Sequence, residues 1–115
     1  MSDGPAPRLA AGVLVSALIR RVQAAGGFAA VLHRGDEHAG GILVECAERG
    51  AGGLILERGS DLHGRESWRI VGDGVDAEAA NIARAKRLRA DPDAWVIELD
   101  IADAERFAAE ILSAN

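Results

Sequence analysis

The densest group of side chains able to do chemistry is His33, Asp36, Glu37 and His38, four potential ligands within six residues. Imidazole together with carboxylate suits zinc or another divalent metal, and the tip of a hairpin would expose all four. Turns, however, favour Asp for backbone reasons alone, and a working metal site draws an orienting partner from elsewhere in the chain. These residues therefore read first as turn residues, and the expected cofactor is none.

Cys46 is the single cysteine. It would be a nucleophile only beside an activating base. If His33 pairs near Ile42 across a hairpin, Cys46 lies four residues further on, about 13 Å away at strand rise and out of hydrogen-bond reach. The plainer reading is a small buried thiol on the face of Ile42 and Val44. His63, in an irregular loop, keeps an alternative open: a small metal-assisted hydrolase using His33, Asp36 and His38, or His63.

A second constellation is positive. Arg84, Lys86, Arg87 and Arg89 fall on one helix, and Arg20 and Arg21 end another. If the two helices are neighbours, the sum would bind a phosphate or an acidic partner. Basic residues late in a helix also complement its dipole and keep a face solvated. Glu98, Asp100 and Asp103 gather near a strand end, where Asp103 is placed to begin a helix. Gly72-x-Gly74 and Gly50-x-Gly52-Gly53 read as turns, and no Gly-x-Ser-x-Gly, phosphate loop or paired-histidine helix motif occurs.

The chain that must position these groups has 115 residues, 49% hydrophobic and 27% charged, which suits one domain with a self-sufficient core. Mean hydropathy is +0.05 and the pI about 5.1. A net charge of -5 opposes the phosphate backbone, and four aromatic rings (Phe28, Trp68, Trp95 and Phe107) supply no base-stacking platform, so nucleic acid is not an expected partner. One cysteine forms no internal disulfide and fits a reducing compartment. The apolar run 9–19 is too short to span a membrane, and Arg20-Arg21 follows it where a cleavage site would need small residues. A cytoplasmic protein is expected. Twelve arginines against one lysine point to a GC-rich bacterial genome.

Residues 1–7, with two prolines and no apolar period, read as a flexible leader before a single domain over 8–115. Ala11, Leu14, Val15, Leu18, Ile19 and Val22 recur at helical spacing up to Gly26-Gly27. Candidate strands follow at 28–33, 41–48, 53–57 and 67–71, joined by Gly- and Asp-bearing loops that read as hairpins. Asp76 sits as the N-cap of a second helix to about Ala90, with Ala79, Ile82, Ala85 and Leu88 expected inward. A fifth strand at 95–99 and a short helix after Asp103 complete the order α-β-β-β-β-α-β-α. This predicts an α+β fold with helices on a mostly antiparallel sheet, the fifth strand free to join parallel to a neighbour.

Two stretches carry a resemblance. Arg20 to Leu32 with Arg34-Gly35-Asp36 and Ala39-Gly40, then Asp91-Pro92-Asp93-Ala94-Trp95-Val96-Ile97-Glu98, resemble in order and spacing the small alphaproteobacterial proteins grouped as domain of unknown function 1491. The resemblance runs from Arg8 to about Glu98. It implies a small soluble bacterial protein of mixed α/β structure, without an assigned activity or site residues. His33 and His38 depart from the family's pattern, which weakens a metal reading of them.

The leading expectation is a non-catalytic binding or accessory module that contacts a protein partner or a small anion through Arg20, Arg21, Arg84, Lys86, Arg87 and Arg89. Membranes are not expected partners, and a homodimer is one way to cover the edges of so small a sheet.

Overall fold

A computed structural model describes residues 8–49 and 51–113. The leader assigned to residues 1–7 lies outside them. Among the described residues the order is α1 (Ala11–Ala24), β1 (Phe28–His33), β2 (Ile42–Glu48), β3 (Ala51–Ser60), β4 (Glu66–Gly72), α2 (Ala77–Ala90), β5 (Trp95–Asp100) and α3 (Ala104–Ser113). The α+β class and the order of elements agree with the sequence. No helix among the described residues is long and apolar enough to cross a membrane.

The strands form one sheet in the order β1-β5-β2-β3-β4. β5 is parallel to β2 and antiparallel to β1, while β2–β3 and β3–β4 are antiparallel. One expectation fails here: β1 and β2 are not a hairpin, because β5 is inserted between them. The reason lies in burial. Trp95, Val96, Ile97 and Leu99 are at most 3% exposed, a nearly continuous apolar run that belongs in the middle of a sheet rather than at its rim. β1, whose exposed side chains include Phe28, Val31 and Leu32, is left as the edge.

Alternation along the strands divides the core. Ile42, Val44, Cys46, Leu56, Ile97 and Leu99 pack against Leu14, Val15, Leu18 and Val22 of α1 and Ala104, Ala108 and Ile111 of α3. Leu43, Ile55 and Val96 point to the other face, where Val75 and Ala80, Ala83 and Leu88 of α2 cover them. Helices thus cover both faces of the sheet. Trp68 closes the β4 end of the larger core by donating its indole N–H to the Ala108 carbonyl at 2.7 Å.

α2 is rotated from its expected setting. Asp76 caps it, accepting from the Ala79 N–H at 2.8 Å, but Ala79, Ile82 and Ala85 face solvent, Ile82 at 64% exposed. The inward stripe holds Arg84 and Arg87, which meet carboxylates of the sheet. An apolar period therefore misreads this helix.

Candidate functional site

The residues singled out as a metal cluster instead build a structural junction. The segment 34–40 leaves β1 and runs between the start of α1 and the start of β5. The carbonyls of Glu37 and His38 accept from the N–H groups of Gly12 and Ala11 at 2.9 and 3.3 Å. These bonds satisfy orphan donors of α1, whose N-cap Ala10 offers no side-chain acceptor. On the other side the Asp36 N–H donates to the Asp93 carbonyl at 2.9 Å, and Trp95 Nε1 donates to the Asp36 carbonyl at 2.7 Å. A Cβ on Gly35 or Gly40 would come within 2.3 Å of the Asp93 carbonyl oxygen, so the loop and the 93–95 segment fit only because both positions are glycine.

Three of the four candidate ligand side chains, those of His33, Asp36 and Glu37, are engaged locally. His33 Nδ1 lies 2.9 Å from the Ala94 carbonyl. The Asp36 carboxylate accepts from the His38 and Ala39 N–H groups at 3.0 and 2.8 Å. Glu37 pairs with Arg34, whose guanidinium lies 5.3 Å from the centre of the Trp95 ring. Among the described residues, no group of three or more His, Cys, Asp or Glu side chains is arranged to hold a metal. His63 lies in the exposed β3–β4 turn, its N–H donated to the Asp61 carboxylate.

Two carboxylates make this architecture sensitive to acid. Hydrogen bonds from the Ala39 and His38 N–H groups hold the Asp36 carboxyl below its ordinary 3.8. Burial alone would raise Glu66, but hydrogen bonds from Arg58 and Arg8 outweigh it and hold that group below 4.5. A lowered folded-state value means stabilisation that is complete above the unfolded value and lost as pH falls through the folded one. The urea midpoint should therefore stay level from about pH 7 to 5 and fall below about pH 4. Asp36→Asn should flatten part of that fall, and an unchanged acid limb would contradict the assignment.

Cys46 lies in the larger core, where burial pushes its thiol up to about 12, with a further rise from the Glu105 charge. A buried thiol held in its neutral form suits a core side chain and not a nucleophile. Iodoacetamide should label Cys46 at least about a hundredfold more slowly in folded protein than in urea. Equal rates would place the thiol at the surface.

The arginines expected to form a joint basic surface are separated by the sheet. Arg20 and Arg21 end α1, on the face it shares with α3, where Arg21 approaches Glu110 at 4.0 Å. Arg84, Lys86, Arg87 and Arg89 are on α2, across the sheet. Arg84 holds both oxygens of Glu45 at 2.7 Å, and Arg87 and Arg69 converge on Glu57. Lys86, Arg89 and Arg20 remain exposed.

Sequence reasoning missed the carboxylates. Glu45 and Glu57 are buried on the sheet face beneath α2, and the Arg58 side chain, 4% exposed, bonds Glu66 and the Leu9 carbonyl. The available signal was a Glu inside each of the apolar runs Ile42-Leu-Val-Glu-Cys46 and Leu54-Ile-Leu-Glu57, positions where a charge needs a partner.

A sheet with helices on both faces and a loop junction of structural residues defines a small α+β domain. The chain belongs to the protein of unknown function family DUF1491, whose model matches residues 9–109. A crystal structure of a DUF1491 family protein from Caulobacter crescentus CB15 is 30% identical, with a TM-score of 0.78 over 87% of this chain and 94% of that one. An NMR structure of a DUF1491 family protein from the same organism is also 30% identical, with a TM-score of 0.74 over 86% and 91%. A solution structure of a protein from A. tumefaciens is 34% identical, with a TM-score of 0.69 over 84% and 89%. No curated protein matches.

Proposed function

We propose that this protein is a non-catalytic protein-binding module of the bacterial cytoplasm that takes up an extended segment of its partner along the open edge of β1. The observation that carries the reading is the edge itself. β1 reads Phe-Ala-Ala-Val-Leu-His, pairs on one side only, and exposes Phe28, Val31 and Leu32 at 57, 45 and 40%. Folded proteins guard such edges with charge, proline or a covering segment, and β1 has neither charge nor proline. β4, the opposite edge, carries Glu66 and Arg69. An added strand would satisfy the free backbone groups of β1, and apolar side chains on the two faces of the partner strand would meet Phe28 on one side and Val31 on the other.

The arginine surface supports a lesser role than its sequence suggested, since Arg84 and Arg87 are engaged with Glu45 and Glu57. The test is selection of extended peptides on the wild-type protein, followed by binding to a Phe28→Lys, Val31→Lys double variant. Peptides that bind the wild type and lose the variant support the reading. Peptides indifferent to the change refute it.

A further inference from the structure

α2 is held to the sheet in an unusual way. None of its residues is fully buried, and its apolar contribution is Ala80, Ala83 and Leu88 over Leu43, Ile55 and Val96. Between these contacts stand two guanidiniums three residues apart. Arg84 donates from Nε and Nη2 to the two oxygens of Glu45 at 2.7 Å and from Nη1 to Asn81 Oδ1 at 3.0 Å. Arg87 joins Arg69 at Glu57. Glu98 stands beside Glu45 in the parallel β2–β5 register, and its charge adds to the hold on Arg84.

The arrangement is that of a docking face with its occupant tethered to it. Glu45 and Glu57 are 8 and 7% exposed; Glu57 keeps Arg69 of β4, but the cation of Glu45 comes from α2, so whatever covers this face must bring one to Glu45 or leave a charge buried without a partner, a heavy penalty. The arginine side chains remain about a third exposed, so salt reaches and weakens the pairs. A cleft of about 200 Å³, lined in part by Glu45, Glu98, Asp76, Asn81 and Arg84, lies beside the first turns of α2. The incoming linker contains Gly74 at φ +66, with nothing within 4 Å of where a Cβ would stand.

We infer that α2 is a detachable lid, and that the face beneath it accepts a helix of a partner protein bearing two arginines three residues apart. The tether gives α2 a high effective concentration. A partner helix therefore binds where the lid's own arginine pairs have been weakened. The face lies over β2, β3 and β5, away from the β1 edge, so either proposal can fail without the other.

The test uses the full chain carrying R84Q and R87Q, read by hydrogen exchange, with a labelled peptide of residues 76–91 as the probe helix. α2 amides should exchange at least roughly tenfold faster than in the wild type, with β2 and β5 amides unchanged. The peptide should bind the variant about tenfold or more tightly than the wild type, and the same peptide with both arginines replaced by glutamine should not bind. Wild-type protein in about 1 M NaCl should show the same selective exchange of α2, a readout that needs no substitution. Unchanged protection of α2 in both settings, or loss shared with β2 and β5 in the salt experiment, would overturn the lid. Failure of the probe on a variant with an exchanging α2, or equal binding of both peptides, would overturn the docking face.

Discussion

Replacing Trp95 with Ala is expected to cost about 3–5 kcal/mol of folding stability, a large share of the roughly 5–15 kcal/mol that holds a small domain together. Trp95 is 3% exposed, packs in the core shared with α1 and α3, and donates its indole N–H to the Asp36 carbonyl at 2.7 Å. Its ring also touches the space a Cβ of Gly35 would need. The side chain therefore joins the first residue of β5 to the segment that supplies acceptors to the first turn of α1. Removing it opens a cavity and releases that junction together. Trp95→Phe keeps most of the packing and loses the indole hydrogen bond, for an expected cost of about 1–3 kcal/mol. Chemical denaturation followed by circular dichroism measures both, and a cost below about 1 kcal/mol for Trp95→Ala would contradict the junction.

The second large effect concerns binding rather than folding. Phe28→Lys with Val31→Lys should leave stability within about 0.5 kcal/mol per site, because both side chains are more than two fifths exposed and make few contacts to lose. The same pair should reduce affinity for a strand-adding partner by about a hundredfold or more. Two positive charges on a six-residue edge strand are the device by which natural sheets refuse a further strand, and they remove apolar surface on both faces of the edge that a partner strand's side chains would cover. Matched denaturation curves together with lost binding would separate a binding edge from a folding element. An affinity unchanged by both lysines would remove β1 from the interface.

Much of the fold was legible because apolar spacing reports burial directly. Leu14, Val15, Leu18 and Val22 mark α1 at helical period, and all four are buried. Ile42, Val44 and Cys46 mark the sheet face beneath it. The family resemblance was legible for a related reason: Gly35, Gly40, Asp93 and Trp95 interlock, so their types and spacing are set by one junction. Two features were not legible. The placement of β5 between β1 and β2 is a long-range choice, invisible to loop chemistry that suits a hairpin equally well. The setting of α2 depends on Arg84 and Arg87 meeting Glu45 and Glu57, and charged residues on an inward face look, in one dimension, like a solvated stripe.

The candidate site followed the same division. His33 ends β1 and Asp36 and His38 follow in the next segment, yet the hydrogen bonds of His33 and Asp36 run to Ala94, His38 and Ala39, which a list of ligand types does not reveal. The neighbour of β1 was likewise not legible: it is β5 rather than β2, and β1 keeps one open side.

The most direct test of a binding role is a nitrogen-15 NMR titration of the wild-type chain with an extended peptide selected on it. The account predicts shifts concentrated in residues 28–33 and their β5 neighbours 96–100, with no binding to the Phe28→Lys, Val31→Lys variant. Shifts confined to other surfaces, or equal binding by that variant, would contradict it.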